Sequence, residues 1–77
     1  MITSAQIRAA RALLGWRQID LARKAHISFN TLNKIEAELV DPRASTLRAI
    51  QRALEQAGIE FIEGGVRRVP LPRKGKD

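Results

Sequence analysis

Two short runs of apolar residues with helical spacing, joined by a tight turn, occupy the stretch from Gln18 to Glu36. In each run the apolar side chains fall on one helical face, as they must when two helices share a core. The core-facing residues are Ile19, Leu21, Ala22 and Ala25 in the first run, and Ile27, Leu32 and Ile35 in the second. This spacing predicts two packed helices, of which the second has a polar outer face.

The outer face of the second helix carries hydroxyl, aromatic, amide and ammonium groups. They belong to Ser28, Phe29, Asn30, Asn33 and Lys34. Such groups contact base edges and phosphates, so the pattern favours a helix that reads DNA. Other interpretations are helix capping by Ser28 or Asn30, packing of Phe29 within the protein, and a Lys34 that is only solvated.

The chain has 77 residues and a formal net charge of +6, enough for one small domain with one core. Its charge is unevenly placed. Residues 66–77 carry five basic groups against one acidic group, a net +4, whereas the first 65 residues carry only +2. A basic C-terminal segment attracts nucleic acid or an acidic membrane surface alike, so it does not choose between these partners.

Several function classes find no support in the sequence. With no cysteine, one histidine and scattered carboxylates, we expect no disulfide, no metal site and no cofactor. Neither a catalytic constellation nor a phosphate-binding glycine loop is present, so we expect no enzyme. No apolar run is long enough to span a bilayer and no signal-peptide pattern occurs, so we expect a cytoplasmic protein without a membrane partner.

Capping residues predict the helix that precedes this pair. Thr3 and Gln6 have the spacing of a capping box, in which each side chain bonds the backbone N–H of the other residue. Gly15 suits the left-handed position that follows a last helical turn. Trp16 is then expected to fold back as a core anchor.

A loop and a further helix are expected after Glu36. Pro42 keeps Asp41 out of the helical region, and Leu39 is expected to point inward. Ser45 is the expected N-cap of the further helix, and Gly58 its end.

The C-terminal part changes character. Residues 59–69 predict a β-hairpin around a Gly64-Gly65 turn, with apolar side chains on both faces at Phe61 and Ile62. Because a lone hairpin is marginal in water, we expect it to pair with a second copy. The sequence thus divides into a helix-turn-helix domain at 1–58, a possible dimerisation hairpin at 59–69 and a disordered basic tail at 70–77.

These residues resemble the phage repressor and Cro family of helix-turn-helix regulators, also called the xenobiotic-response-element type. The matching positions are Gln18, Leu21, Ala22, Ala25, Ile27, Ser28, Thr31, Ile35 and Glu36, then Pro42 and Ser45-Thr46-Leu47. The resemblance spans about residues 3–58 and implies a mainly α, compact lambda-repressor-like domain of four to five helices, here with a short C-terminal β-hairpin. It also implies sequence-specific binding to double-stranded DNA as a dimer.

The resemblance also suggests roles for single residues. Gln18 resembles the glutamine that bonds a phosphate at the start of the second helix. We also expect phosphate contacts from Thr31 and Arg43, and from Arg17, although Arg17 departs from the family pattern. The base-reading positions are Ser28, Phe29, Asn30, Asn33 and Lys34. By chemistry, an asparagine suits adenine, a phenyl ring suits a thymine methyl, and a lysine suits a guanine edge or a phosphate. Asn33 lies a turn further along the helix, and the alternative for it is a contact with the backbone of DNA alone.

Three positions depart from the family pattern. His26 and Glu38 stand where glycine is common, which predicts a costly positive φ at His26 and leaves the path of the loop after Glu38 open. Arg17 stands where serine or threonine normally caps the second helix, and arginine is a poor cap. We interpret Arg17 as a phosphate contact, with an ordinary exposed arginine as the alternative.

The leading hypothesis is therefore a dimeric transcriptional regulator, a repressor, that acts through the major groove. The main alternative is an antitoxin-like protein, in which the hairpin and tail neutralise a protein partner and DNA binding is secondary. A third interpretation is a nonspecific nucleic-acid or membrane-surface module driven by the tail.

Overall fold

Four helices and one β-hairpin make up residues 1–71, the part of the chain that the computed structural model describes. The helices are α1 (Ser4–Leu14), α2 (Gln18–Ala25), α3 (Phe29–Glu36) and α4 (Ala44–Gln56). The strands, β1 (Ile59–Ile62) and β2 (Gly65–Arg68), pair antiparallel. The predicted mainly α fold with a C-terminal hairpin is confirmed. The predicted disordered tail lies, from residue 72 onward, outside the described residues.

One core joins all four helices. Its fully buried side chains are Ile7, Leu21, Leu32, Ile35, Ile50 and Leu54. Burial of each such side chain contributes about 1.5–3 kcal/mol relative to exposure, so the core fixes how α2 and α3 are oriented. The indole of Trp16 is half-buried against this core, as predicted.

The predicted helix boundaries of α1 are confirmed. Gln6 N–H donates to Thr3 Oγ1 at 3.1 Å, and Thr3 N–H donates to Gln6 Oε1 at 2.9 Å. Gly15 ends the helix with a φ of 68°. The capping box and the left-handed glycine thus satisfy backbone groups at both ends of α1.

The turn between α2 and α3 passes through His26 in the left-handed conformation, with φ 59° and ψ 42°. This confirms the positive φ predicted for that position. Two residues later Ser28 caps α3, because its Oγ accepts from Thr31 N–H at 3.0 Å. The turn is therefore short and well bonded, and it holds the two helices at a fixed angle.

The loop between α3 and α4 differs from the prediction in two ways. Leu39 points outward and is 71 % exposed. The reason is that Glu38 takes a φ of 60° and reverses the chain, so that Leu39 N–H bonds back to Lys34 O at 2.9 Å. The N-cap of α4 is Arg43 rather than Ser45, because Pro42 leads into a helix that already begins at the good helix former Ala44.

The hairpin packs on the helices of its own chain. Ile59 joins the core, and Gln6 Nε2 donates to the carbonyls of Ile62 and Gly65 at 2.9 Å each. Its turn is formed by Glu63 and Gly64, not by Gly64-Gly65, since Gly65 already pairs with Ile62 and the positive φ falls on Gly64.

Candidate nucleic-acid interface

The outer face of α3 is open to solvent along its whole length. Phe29 and Asn33 are four residues apart, as are Asn30 and Lys34, so these four side chains share one face. All four are exposed, and Phe29, at 44 %, is not packed into the core. The structure thus brings together four of the five side chains that the sequence predicted to read bases, and the fifth, Ser28, is the N-cap of the same helix.

Helix α1 positions this face by holding the C-terminal end of α3. Ser4 Oγ donates to Ile35 O at 2.7 Å, and Arg8 Nη1 donates to Glu36 O. The last carbonyls of a helix have no partner within it, and these side chains supply one. Helix α3 is therefore fixed at both ends, by Ser28 at its start and by α1 at its end.

The hydroxyl of Ser28 makes two hydrogen bonds to Thr31 within the protein. It accepts from Thr31 N–H at 3.0 Å and donates to Thr31 Oγ1 at 2.8 Å. The capping interpretation of Ser28 therefore describes its state in the free protein. A base contact by Ser28 stays a prediction. The second lone pair of Oγ can accept from a base, whereas donation to a base would require the hydroxyl hydrogen to turn away from Thr31.

Arg17 and Asp20 form an exposed pair at the start of α2. Asp20 Oδ2 accepts from Arg17 N–H at 2.8 Å, which is the half of a capping box that the third helical residue supplies, while no side chain at the N-cap bonds the first N–H groups of α2. The guanidinium donates to both carboxylate oxygens, at 3.2 and 3.1 Å. The hydrogen bonds from the Arg17 side chain and backbone hold the pKa of Asp20 below its usual value. The guanidinium of Arg17 remains accessible to a phosphate, but only beside a carboxylate.

A chain of polar contacts that the sequence interpretation missed runs from α1 to α3. Arg11 Nε and Nη2 each donate at 2.8 Å to one oxygen of Glu36, whose residue is only 3 % exposed. Gln18 Nε2 donates to Glu36 Oε1 at 3.1 Å, and Asn33 Nδ2 donates to Gln18 Oε1 at 3.1 Å. Two of the predicted DNA-contacting residues are thus linked to a buried ion pair.

The sequence did contain a signal for this pair. Glu36 follows Leu32 by four residues, and Arg11 follows Ile7 by four, so each charge lies on the buried face of its helix. Buried charges are nearly always paired, and these two have opposite signs. Two opposite charges on inward faces therefore predict a contact between the helices.

A second basic element lies beside α3. Lys34 and Thr31 line the same surface groove as Arg43 and Thr46, from the start of α4. Among the ion pairs of residues 1–71, neither Lys34 nor Arg43 takes part. Asp41 lines the same groove without forming an ion pair to either of them, so two positive charges and one negative charge leave this edge of the recognition face with a net charge of +1.

Residues 1–71 contain neither a metal-binding group of side chains nor a membrane-spanning helix. No group of three His, Cys, Asp or Glu side chains in this range is arranged to hold a metal ion. None of the helices in the same range has both the length and the apolar character needed to span a bilayer.

A comparison with protein-family models decides the family. The model described as helix-turn-helix, of the Cro/C1 type, matches residues 7–60, which is more than half of the chain. The chain belongs to this helix-turn-helix family. The resemblance inferred from the sequence is thereby confirmed, and the chain is a DNA-binding transcription regulator. A comparison with curated proteins found no match for this helix-turn-helix regulator.

Proposed function

We propose that this regulator is a repressor that binds specific sites in double-stranded DNA as a homodimer, with α3 in the major groove. The observation that carries the proposal is the exposed face of α3, where an asparagine lies among aromatic, amide and ammonium groups on a helix fixed at both ends. A major groove is wide enough to admit such a helix, and its base edges differ in donors and acceptors.

The proposal gives each predicted residue a role. Asn30 bonds adenine, Phe29 contacts a thymine methyl, and Lys34 bonds a guanine edge or a phosphate. Ser28 and Asn33 complete the base-reading set. The phosphate-contacting set comprises Arg17, Gln18, Thr31 and Arg43, which would fix the register of α3 on the duplex.

Repression would follow from occupation of a promoter by the bound protein. The protein would act by binding alone, in the cytoplasm, without a cofactor. The residues beyond 71 include Arg73, Lys74 and Lys76, whose charges would add attraction to DNA that does not depend on sequence.

Dimerisation is proposed to use the outward face of the hairpin at residues 59–69. Ile62 lies on that face and is 43 % exposed, and Glu60 and Arg67 form an ion pair there at 2.7 Å. A two-fold axis at this surface would place the same residues opposite each other. Two recognition helices about 34 Å apart would then enter successive major grooves.

Sedimentation of single variants tests the dimer without disturbing the fold. Removing the hairpin is a poor test, because Ile59 belongs to the core. We expect Ile62→Lys to sediment as a monomer and to bind one half-site only. Leu39→Lys, which changes an exposed leucine outside the hairpin, is the matched control and is expected to stay dimeric. If Ile62→Lys stays dimeric, the hairpin interface is wrong.

Purification of the protein from its host tests the antitoxin-like alternative. If the protein purified from its host carries a second polypeptide in a fixed ratio, and Ile62→Lys releases it, the hairpin serves a protein partner instead. If the unmodified protein binds all duplexes equally, sequence-specific repression is wrong.

A further inference from the structure

We infer that Glu36, acting through Gln18, fixes Asn33 as a hydrogen-bond acceptor toward DNA, so that Asn33 selects a base with an exocyclic amino group. This inference rests on the proposed function and adds a positioning residue and a base preference to it. The ligand class is a base pair that presents adenine N6 or cytosine N4 in the major groove.

The first step concerns the buried end of the contact chain. The carboxylate of Glu36 accepts two hydrogen bonds from the Arg11 guanidinium, one from Nε and one from Nη2. The guanidinium carries a fixed positive charge. An ionised carboxylate has acceptors only. Any further neighbour of Glu36 must therefore donate.

The second step fixes the amide of Gln18. This amide could be turned in either direction, but only Nε2 can face the oxygen of Glu36, at 3.1 Å. The opposite orientation would place two oxygen atoms against each other next to a buried charge. Gln18 Oε1 consequently points along α2 toward α3.

The third step concerns the orientation of the exposed Asn33 amide. Because Gln18 Oε1 accepts, Asn33 must turn Nδ2 toward it, and the two atoms lie 3.1 Å apart. The Oδ1 atom of Asn33 then points away from Gln18, on an exposed side chain of the recognition face. In solvent alone, the two orientations of an exposed asparagine amide are nearly equivalent. The hydrogen bonds from Glu36 through Gln18 make one of them preferred.

The consequence concerns base identity. An outward Oδ1 is complementary to adenine N6 and cytosine N4, and adenine also offers N7 to the second Nδ2 hydrogen. Guanine O6, thymine O4 and phosphate oxygens are acceptors, so they can bond only the second Nδ2 hydrogen and leave Oδ1 without a donor. Glu36 does not touch DNA in this scheme. It is a positioning residue whose effect appears as a preference at one base pair of each half-site.

The test uses the full chain and selection of bound duplexes from a random pool, followed by titration of single base-pair variants. The unmodified protein is expected to prefer adenine or cytosine by roughly tenfold at one position of the site, and Asn33→Ala is expected to bind all four bases equally at that position. Gln18→Met keeps the length of the side chain and leaves the Arg11–Glu36 pair in place. It is expected to reduce the preference at that same position to about twofold or less. Because Gln18 is also a proposed phosphate contact, the variant should in addition bind all duplexes more weakly by a common factor, which cancels in the ratio of affinities between base-pair variants. Equal thermal melting of the two proteins controls for folding.

The outcomes separate this inference from the proposed function. If Gln18→Met keeps the full preference, or if the position read by Asn33 favours guanine or thymine, the positioning role of Glu36 is wrong while sequence-specific binding stands. If Asn33→Ala changes no position, the inference is equally wrong. If the unmodified protein has no sequence preference at all, the proposed function fails together with it.

Discussion

Arg11 and Glu36, which are 25 residues apart, meet in a two-pronged ion pair between α1 and the end of α3. The same guanidinium donates to the Trp16 carbonyl at 3.0 Å. One arginine thus connects α1, the start of the α2 region and the recognition helix. The outer face of α3 is therefore held from behind by a charged contact as well as by apolar packing.

Removing only one member of this pair should be costly. We expect Arg11→Met to lower the free energy of unfolding by about 3 kcal/mol, because it leaves the Glu36 carboxylate buried without its partner. The double variant Arg11→Met/Glu36→Leu should recover at least half of that loss. Denaturant unfolding measures both, and a double variant no more stable than Arg11→Met would contradict this account.

Backbone strain at the turn between α2 and α3 gives a second prediction. His26 has a φ of 59°, which costs a non-glycine residue free energy, so His26→Gly should raise the free energy of unfolding by roughly 1 kcal/mol. Gly15→Ala is the converse control. Gly15 has a φ of 68°, and no atom lies within 4 Å of a Cβ added there. Gly15→Ala should therefore lower the free energy of unfolding by about 1 kcal/mol through backbone strain alone. Destabilisation by His26→Gly would instead mean that the imidazole makes a stabilising contact.

The basic edge beside α3 should act on all duplexes alike. We expect Arg43→Ala to weaken binding to specific and random duplexes by similar factors, and to lower the slope of log K against log salt by about 1. Arg52→Ala removes the same charge from the part of α4 that lies beside His26 and Lys24, and it should leave the slope unchanged. Equal slopes for the two variants would remove the phosphate role of Arg43.

The pair of Arg17 and Asp20 at the start of α2 should make the stability of the fold depend on pH. The folded-state pKa of Asp20 is lowered, so its contribution to stability is present above the unfolded pKa of about 3.9 and is lost as the pH falls through the folded pKa. We expect Asp20→Asn to be less stable than the unmodified protein at neutral pH, with a difference that shrinks below about pH 4. Asp41→Asn, which changes another exposed carboxylate, is the matched control. A constant difference down to pH 2 would mean that the charge of Asp20 does not contribute.

The sequence predicted the helical part of the fold well, because its signals are local. The capping box at Thr3, the glycine stop at Gly15 and the apolar spacing of Leu21, Leu32 and Ile35 each act within one or two turns. The exposed face of α3 follows from the same spacing. The sequence therefore predicted which side chains the structure would bring together there.

The sequence predictions were wrong or incomplete where a turn, or a contact with a distant part of the chain, determines the position of a side chain. Leu39 looks like a core residue, but the left-handed Glu38 directs it outward. The contact between Gln18 and Asn33 depends on how α2 packs against α3, which residue spacing alone does not fix. Sequence reasoning could find the members of the site but not the direction of their hydrogen bonds.

Selection of bound duplexes from a random pool at moderate salt, with Asn30→Ala run in parallel, tests the central claim most directly. Sequence-specific reading by the outer face of α3 predicts a two-fold symmetric site for the unmodified protein. It also predicts that Asn30→Ala loses about 1–3 kcal/mol of discrimination at one base pair of each half-site. Recovery of no common site, or of the same site with the same discrimination by both proteins, would contradict the claim.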